Sequence, residues 1–214
     1  MNLEIIIVDD NSLDGTKEII QNLSKKFNKL TPIFRKGQKN FAQSYLEGFK
    51  IALENNAKYI IQMDADFSHN PLYLKEIIKN LKDNDVVIGS RYTNGGSIKR
   101  WPFWRKFLSK IGNLFAAFVI NTKINDLTTG FVGWHGLILK KIISKKITTN
   151  GYAFLIELKY LALNNNDRIK EIPIIFTDRL NDKSKMNKKI ILEAMLFCIK
   201  LLFNQFLYNK RKNN

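Results

Sequence analysis

Asp64-Ala65-Asp66 closes the apolar run Tyr59-Ile60-Ile61-Gln62-Met63. A strand that ends in two carboxylates one residue apart can present a divalent metal at the edge of a sheet. Mg²⁺ and Mn²⁺ take oxygen ligands and commonly use one or two carboxylates plus substrate phosphates, so a sparse aspartate pair is the expected protein share of a metal–nucleotide diphosphate site. An isolated Asp-x-Asp is more often a solvated strand-end turn. Here a second acidic pair, Asp9-Asp10, follows the run Ile5-Ile6-Ile7-Val8 in the same way.

The elements that must position these carboxylates alternate in type. An apolar run over Ile5 to Val8 is followed by a helical pattern from Thr16 to Lys26, an extended piece near Pro32 to Arg35 and a helix from Phe41 to Glu54. Then come a strand from Tyr59 to Met63, a helix from Pro71 to Leu81 and a strand from Val86 to Gly89. Alternation of this kind predicts an α/β fold with a mostly parallel central sheet. The strands are continuous Ile/Val-rich runs, as expected where helices cover both faces, and ligands of such sheets bind beyond the carboxyl ends of the strands. Both acidic pairs lie at such ends. Asn11 to Thr16 reads as a turn capping the helix that follows.

With 214 residues and 45% hydrophobic content, the chain has material for one globular domain and a tail. Lys and Arg number 35 against 19 Asp and Glu, a formal charge of +16 that favours polyanionic partners: phosphates, anionic lipid surfaces or nucleic acid. Nucleic acid is disfavoured by the acidic strand ends and by the lack of zinc spacing, an RNP-like aromatic motif or a helix-turn-helix pattern. Cys198 is the only cysteine, which excludes an internal disulfide and a multi-cysteine zinc site, and its apolar surroundings predict a packed small hydrophobe. No secretory signal pattern opens the sequence, and a reducing compartment fits.

Val8-Asp9-Asp10-Asn11-Ser12-x-Asp14-Gly15-Thr16 together with Met63-Asp64-Ala65-Asp66-x-Ser68-His69-x-Pro71 resembles the dolichol-phosphate mannosyltransferase group of family 2 glycosyltransferases. Further pieces follow in order. They are Gly89-Ser90-Arg91-Tyr92 with Gly95-Gly96; Trp101, Arg105, Ser109 and Asn113 spaced by four; and Asp126-x-Thr128-x-Gly130-Phe131. Gly151-Tyr152-x-Phe154-x-x-Glu157, Glu171-x-Pro173-Ile174-x-Phe176-x-x-Arg179 and Ser184-Lys185 complete the series, which spans residues 3 to 185. Each piece is weak alone; their collinear combination is specific.

The resemblance implies a GT-A fold over 1–185 and transfer of a sugar, most often mannose from GDP-mannose, onto the phosphate of a polyprenol such as dolichol or undecaprenol. It implies Mg²⁺ or Mn²⁺ on Asp64 and Asp66, with Asp9 and Asp10 toward the donor nucleotide. Arg179 and Lys185 are the expected cationic clamp on the departing diphosphate, on a loop that closes over the donor; a solvated basic turn is the other reading of that segment. Arg91, Arg105 and Ser109 match the residues that hold the lipid phosphate in relatives, and Arg105 and Ser109 share one helical face. Asp126 and Glu157 are expected to orient loops and basic residues, not to make bonds. His69 reads as a turn residue and His135 as structural. The aromatic segment Trp101 to Leu108 suits either a membrane interface or packing on the sheet.

Three departures stand out. Val132 occupies a position where relatives usually carry Arg, Asp182 replaces a common Gly in the donor loop, and the chain starts at what would be the second strand of relatives, leaving about one βα unit and its Pro-x-Tyr-Asn-Glu segment unmatched. A strand edge beside Ile5 to Val8 would then be unpaired. A late start or a non-catalytic relative that binds membranes or a partner are the alternatives this raises, and UDP-glucose is the alternative donor. Residues 186–214 contain the apolar but interrupted Ile190 to Leu207 and the basic end Lys210-Arg211-Lys212. They predict an amphipathic helix in the membrane interface, or one packed on the domain. Together these features predict a peripheral protein on the cytoplasmic face of a membrane.

Overall fold

A computed structural model describes residues 3–178 and 192–203, which fall into two compact units divided between Lys58 and Tyr59. Arg179, Lys185, Asp182 and the basic end lie outside the described residues.

The first unit is a βαβα segment. Strand β1 (Ile5–Asp9) pairs in parallel with β2 (Leu30–Phe34), Ile5 opposite Leu30 and Asp9 opposite Phe34. Helix α1 (Thr16–Lys26) connects them. It starts where Gly15, at φ 82, adopts the left-handed conformation, and where Asp14 accepts hydrogen bonds from the Thr16 N–H at 3.2 Å and hydroxyl at 2.6 Å. Helix α2 (Phe41–Glu54) is capped by Asn40, whose side chain accepts from the Gln43 N–H at 3.0 Å. Within this unit β1 pairs with β2 alone, and Ile5 is 49% exposed.

The second unit is built on a four-stranded sheet in the order β3-β6-β4-β7: Tyr59–Gln62, Val132–His135, Val86–Ser90 and Ile169–Pro173. β4 and β7 are parallel, Val86 opposite Ile169 and Ser90 opposite Pro173. β6 runs antiparallel between β3 and β4, with Val132 facing Gln62 on one side and Ile88 on the other. Val132 is therefore a fully buried sheet residue, so this departure from the family pattern falls in the core and not in a loop. The expected parallel character holds for β1–β2, β4–β7 and a short ribbon of β5 (Ser97–Lys99) with β8 (Ile175–Thr177).

All five residues of β4 are buried, as expected for a strand covered on both faces. One face carries a core of Ile77, Leu81, Val87, Phe131, Ile172 and Ile174, closed by the 3₁₀ turn Pro71–Tyr73 and helix α3 (Leu74–Asn80). Gly133 permits that closeness: a Cβ there would run into the Ile77 methyl and lie 2.9 Å from Leu81 Cδ1. Gly133→Ala is expected to destabilise the protein by about 1–3 kcal/mol through overpacking, read by urea unfolding. Trp134, fully buried, donates its indole N–H to Gln62 Oε1 at 2.9 Å. Helix α6 (Ala153–Asn164) is buried nearly all round, whereas α5 (Gly136–Ile143) buries only Gly136, Leu139 and Ile142.

Helix α4 (Phe103–Ile120) buries Asn113, Ala116, Val119 and Ile120. Its opposite face leaves Phe103, Phe107, Ile111, Leu114 and Phe118 exposed at helical spacing. Residues 192–203 form a further helix, α7. It packs through Phe197, Cys198 and Leu201, accepts the Asn150 and Gly151 N–H groups on Glu193, and exposes Leu192, Met195, Leu196 and Ile199. Burial pushes the Cys198 thiol up to about 11, in keeping with a packed, unreactive side chain. No helix among the described residues is long and apolar enough to cross a membrane.

Candidate active site

The turn after β3 is held by its own side chains. The Asp64 N–H donates to His69 Nδ1 at 3.0 Å, and the Ser68 N–H and hydroxyl both donate to Asp66 Oδ1. Phe67, between them, is held at φ 64, a left-handed conformation that a bulky residue adopts only when its surroundings impose it. His69 is buried, stacked on Phe131 at 4.9 Å and edge-on to Phe176 at 5.6 Å. Burial depresses its pKa, outweighing Asp64. The imidazole is thus neutral, accepting through Nδ1, and its 3.9 Å approach to the Asp64 carboxylate is not an ion pair. His69 is more than the turn residue the sequence suggests: it orients the backbone of the first metal-ligand candidate. An open groove of about 440 Å³ runs beside this turn, lined by Phe67, Ser68, Tyr73, Lys99 and Ile175 among others.

Phe176 also meets a cationic cluster. The Arg91 guanidinium is ringed by Tyr92, Trp101 and Phe176 at 5.3, 5.6 and 5.5 Å from the ring centroids. It makes a two-pronged pair with Asp126, Nε to Oδ2 at 2.8 Å and Nη2 to Oδ1 at 2.7 Å, while the Arg91 N–H also donates to Oδ2. Burial alone would raise the Asp126 carboxyl; the Arg91 charge and hydrogen bonds outweigh it and hold the acid below its usual range. Nη2 donates further to Thr128 Oγ1, so Nη1 is the guanidinium nitrogen without a hydrogen bond among the described residues. Asp126 orients Arg91, the role expected for it.

The loop that carries Asp126 is fixed from three sides. Asn113 of α4 accepts the Leu127 and Thr128 N–H groups, Glu171 of β7 accepts the Asn125 and Asp126 N–H groups, and Lys159 of α6 donates to the carbonyls of Leu127, Thr129 and Leu155 at 2.9, 2.9 and 3.2 Å. Glu157, on the same helix, anchors a second loop by accepting from the N–H and hydroxyl groups of Thr148 and Thr149. Burial pushes the Lys159 ammonium down to about 7, with Arg91 acting in the same direction and Asp126 and Glu171 against it. A lysine whose folded pKa lies below its unfolded 10.5 binds more proton in the unfolded chain between those values, so stability rises with pH across that window. The rise is up to about 1.4 kcal/mol per pH unit. In urea unfolding, wild type is expected to gain on Lys159→Met as pH goes from 7 to 10; a constant difference would mean that the three carbonyls keep the ammonium charged throughout.

Arg105 projects from the first turn of α4. Its Cζ lies 4.0 Å from the Trp101 ring centroid, and its Nη1 donates to Asp178 Oδ2 at 3.0 Å. Ser109, one turn on, is partly buried close to Tyr92. The structure thus brings Asp64, Asp66, Arg91, Arg105 and Ser109 into one unit. Asp9 and Asp10 belong to the other. There the Asp10 carboxylate is committed to Arg35 and to the Asn40 N–H at 2.7 Å, whereas buried Asp9 accepts from Ser12 N–H through Oδ2 at 3.1 Å, leaving Oδ1 without a hydrogen bond among the described residues.

The amino-acid sequence matches glycosyl transferase family 2 over residues 1–145. The chain belongs to that family. Family 2 relatives include the polyprenol monophosphomannose synthase of Mycolicibacterium smegmatis, 34% identical over 90% of this chain and 74% of the relative. The undecaprenyl-phosphate mannosyltransferase of Micrococcus luteus is 30% identical over 90% of this chain and 79% of its own. The dolichol-phosphate mannosyltransferase of Pyrococcus furiosus is 32% identical over 94% of this chain, which spans 56% of that protein. Among solved structures, glucosyl-3-phosphoglycerate synthase from Mycobacterium tuberculosis in complex with Mn²⁺, UDP and glucosyl-3-phosphoglycerate superposes with a TM-score of 0.64 at 12% identity, covering 93% of this chain and 68% of that one. The fold is GT-A, as the alternating elements and the resemblance predict.

The aspartate pair fits a divalent ion. His69 spends Nδ1 on the Asp64 N–H, and no group of three or more His, Cys, Asp or Glu converges among the described residues. The protein share would then be two carboxylates, in keeping with Mg²⁺ or Mn²⁺ where a diphosphate supplies the rest.

Proposed function

We propose that this family 2 enzyme transfers a sugar, mannose from GDP-mannose in the first instance, to the phosphate of a polyprenol. The observation that carries the reading is the placement in one unit of a strand-end carboxylate pair and a two-arginine cluster, linked through His69, which accepts the Asp64 N–H and lies edge-on to the Phe176 ring that Arg91 also meets. One side suits a metal-bound diphosphate and the other a phosphate monoester. The named mannosyltransferase relatives support the donor and acceptor classes, and the TM-score with a Mn²⁺–UDP complex supports the metal.

Asp64 and Asp66 would hold the metal, which when bound offsets the charge growing on the departing diphosphate. Arg91 and Arg105 with Ser109 would hold the acceptor phosphate so that one of its oxygens attacks the anomeric carbon. That oxygen forms the new C–O bond as the bond to the diphosphate breaks, and the electron pair leaves with the nucleotide. A phosphate oxygen is already anionic, so the step calls for no general base, and a single displacement inverts the anomeric centre. Arg179 and Lys185 are assigned to the diphosphate and Asp9 to the nucleotide.

The exposed apolar faces of α4 and α7 suit a peripheral seat at the membrane surface, where the acceptor lies. Phe103 and Phe118 are 82% and 77% exposed. Phe103→Glu with Phe107→Glu is expected to lower binding to anionic vesicles more than tenfold, each apolar side chain contributing about 1.5–3 kcal/mol; unchanged co-sedimentation would remove α4 from the docking surface.

The test of function is transfer of labelled sugar from GDP-mannose, UDP-glucose or UDP-N-acetylglucosamine to undecaprenyl or dolichyl phosphate, with Mn²⁺ or EDTA. A metal-dependent glycolipid from GDP-mannose is expected. No product from any donor would favour the non-catalytic alternative.

A further inference from the structure

Three buried hydrogen-bond donors around the Arg91–Arg105 cluster have no partner among the described residues: Trp101 Nε1–H, Arg105 Nε–H and the Tyr92 hydroxyl. Buried polar groups are nearly always paired, so each orphan asks for a ligand, an ion or a water. Only three other buried side-chain atoms among the described residues share this condition, on Gln62, Asn165 and Asp167. At the cluster, all three orphans can donate. An indole N–H can do nothing else, and a guanidinium Nε–H likewise. Trp101 is 8% exposed, and its ring sits against both guanidinium groups, with Cζ of Arg105 at 4.0 Å and of Arg91 at 5.6 Å from its centroid. Tyr92 lies beside Arg91 at 5.3 Å and near Ser109, though its hydroxyl does not reach hydrogen-bond geometry there.

Arg91 is matched by Asp126 and Arg105 by Asp178, at 2.7 and 3.0 Å. Each pair is formally neutral, so the cluster cannot hold an anion by net charge alone; it must do so with the N–H and O–H groups the carboxylates leave over. Arg91 Nη1 and Arg105 Nε are two of these. Donors in a desolvated site make strong bonds to a phosphate oxygen because no water competes. Burial raises the Tyr92 pKa, outweighing Arg91, so the phenol keeps its proton to donate.

We propose that Trp101, through its indole N–H, and Tyr92, through its hydroxyl, complete the binding site for the acceptor's terminal phosphate beside Arg91, Arg105 and Ser109. The inference rests on the reading of that cluster as the acceptor-phosphate site. The ligand is a phosphate monoester, whose three terminal oxygens offer enough lone pairs to satisfy the orphans together.

Trp101→Phe and Tyr92→Phe test this in the full chain, since each keeps a ring against Arg91 or Arg105 and deletes one donor. The Michaelis constant for undecaprenyl phosphate is expected to rise about tenfold or more in each, with that for GDP-mannose within about twofold. The thermal shift produced by undecaprenyl phosphate, which needs no turnover, should shrink in parallel. The melting temperature of the unliganded variants should match or exceed wild type, because an unpaired buried donor has been removed; a merely structural N–H would give the reverse. Arg105→Gln separates the two levels. If it weakens undecaprenyl phosphate binding while both Phe variants bind as wild type, the added donors are refuted and the site stands. If all three bind as wild type, the site itself is refuted and the inference falls with it.

Discussion

Asp66→Asn is expected to lower kcat/KM for sugar transfer by about a thousandfold while leaving the fold intact. Asp66 is partly exposed in the turn after β3, where its Oδ1 accepts the Ser68 N–H and hydroxyl. An asparagine carbonyl accepts the same two bonds, so the turn that also carries Asp64 keeps its shape and stability should change by less than about 1 kcal/mol. What is lost is the negative charge that, on the proposed reading, would face the metal. A metal ion contributes several kcal/mol to stabilising a charged leaving group, and about 4 kcal/mol corresponds to a factor of a thousand. The measurement is initial rate against Mn²⁺ concentration. A variant that regains full rate at high Mn²⁺ would show a role in affinity alone, and one indistinguishable from wild type at all concentrations would exclude Asp66 as a ligand. His69→Phe is the companion. It keeps a ring between Phe131 and Phe176 but removes the acceptor of the Asp64 N–H, and a fall in Mn²⁺ affinity there would show the turn acting through its backbone.

Local signals make the first unit readable. Asp14-Gly15-Thr16 and Asn40 sit where the structure starts α1 and α2, because a helix must satisfy its first N–H groups nearby and these residues are built to do so. β6 has no such signature. Val132-Gly133-Trp134-His135 is short and broken by a glycine, and it is a strand only because β3 and β4 offer it ladders on both sides and α3 presses close enough to require Gly133. The ribbon of β5 and β8 is equally dependent on partners distant in the chain.

The site shows the same division. Asp64, Asp66, Arg91, Arg105 and Ser109 can be singled out as candidates because they stand in ordered motifs, and i, i+4 spacing on α4 suffices to place the last two on one face. His69 reads as a turn residue because the apolar walls that neutralise it, Phe131 and Phe176, come from residues far along the sequence. Lys159 does leave a trace in the sequence: with Glu157 it interrupts the otherwise apolar Phe154 to Ala162, and a lysine on a helix buried nearly all round must find acceptors. The orphaned donors of Trp101 and Tyr92 leave none, since satisfaction of a hydrogen bond is a property of neighbours in space.

Asp126→Asn is the second large effect expected, and it separates building the site from using it. Asp126 is fully buried and balances a guanidinium that is itself only 7% exposed. Neutralising the acid leaves that cation without its counter-charge in a desolvated place, a change that typically costs about 3–5 kcal/mol. Arg91→Met has the mirror-image cost, stranding the carboxylate. Combining the two should cost much less than the sum, because the double variant buries no net charge; a coupling of about 2 kcal/mol or more in a double-mutant cycle is the expected result, and additive effects would contradict the pair. The pH dependence has a definite sign. Because Asp126 is held below its ordinary value of 3.8 when folded, its contribution is complete above that value and is lost as pH falls through the lower folded pKa. The gap between wild type and Asp126→Asn should therefore stay constant from neutral pH down to about 4 and narrow only in stronger acid. Activity should respond differently: with Arg91 no longer held by two hydrogen bonds, acceptor KM should rise at every pH at which the variant is folded. A variant that loses stability yet keeps wild-type acceptor KM would make the pair a scaffold for the loop at 125–129 and remove Arg91 from the acceptor site.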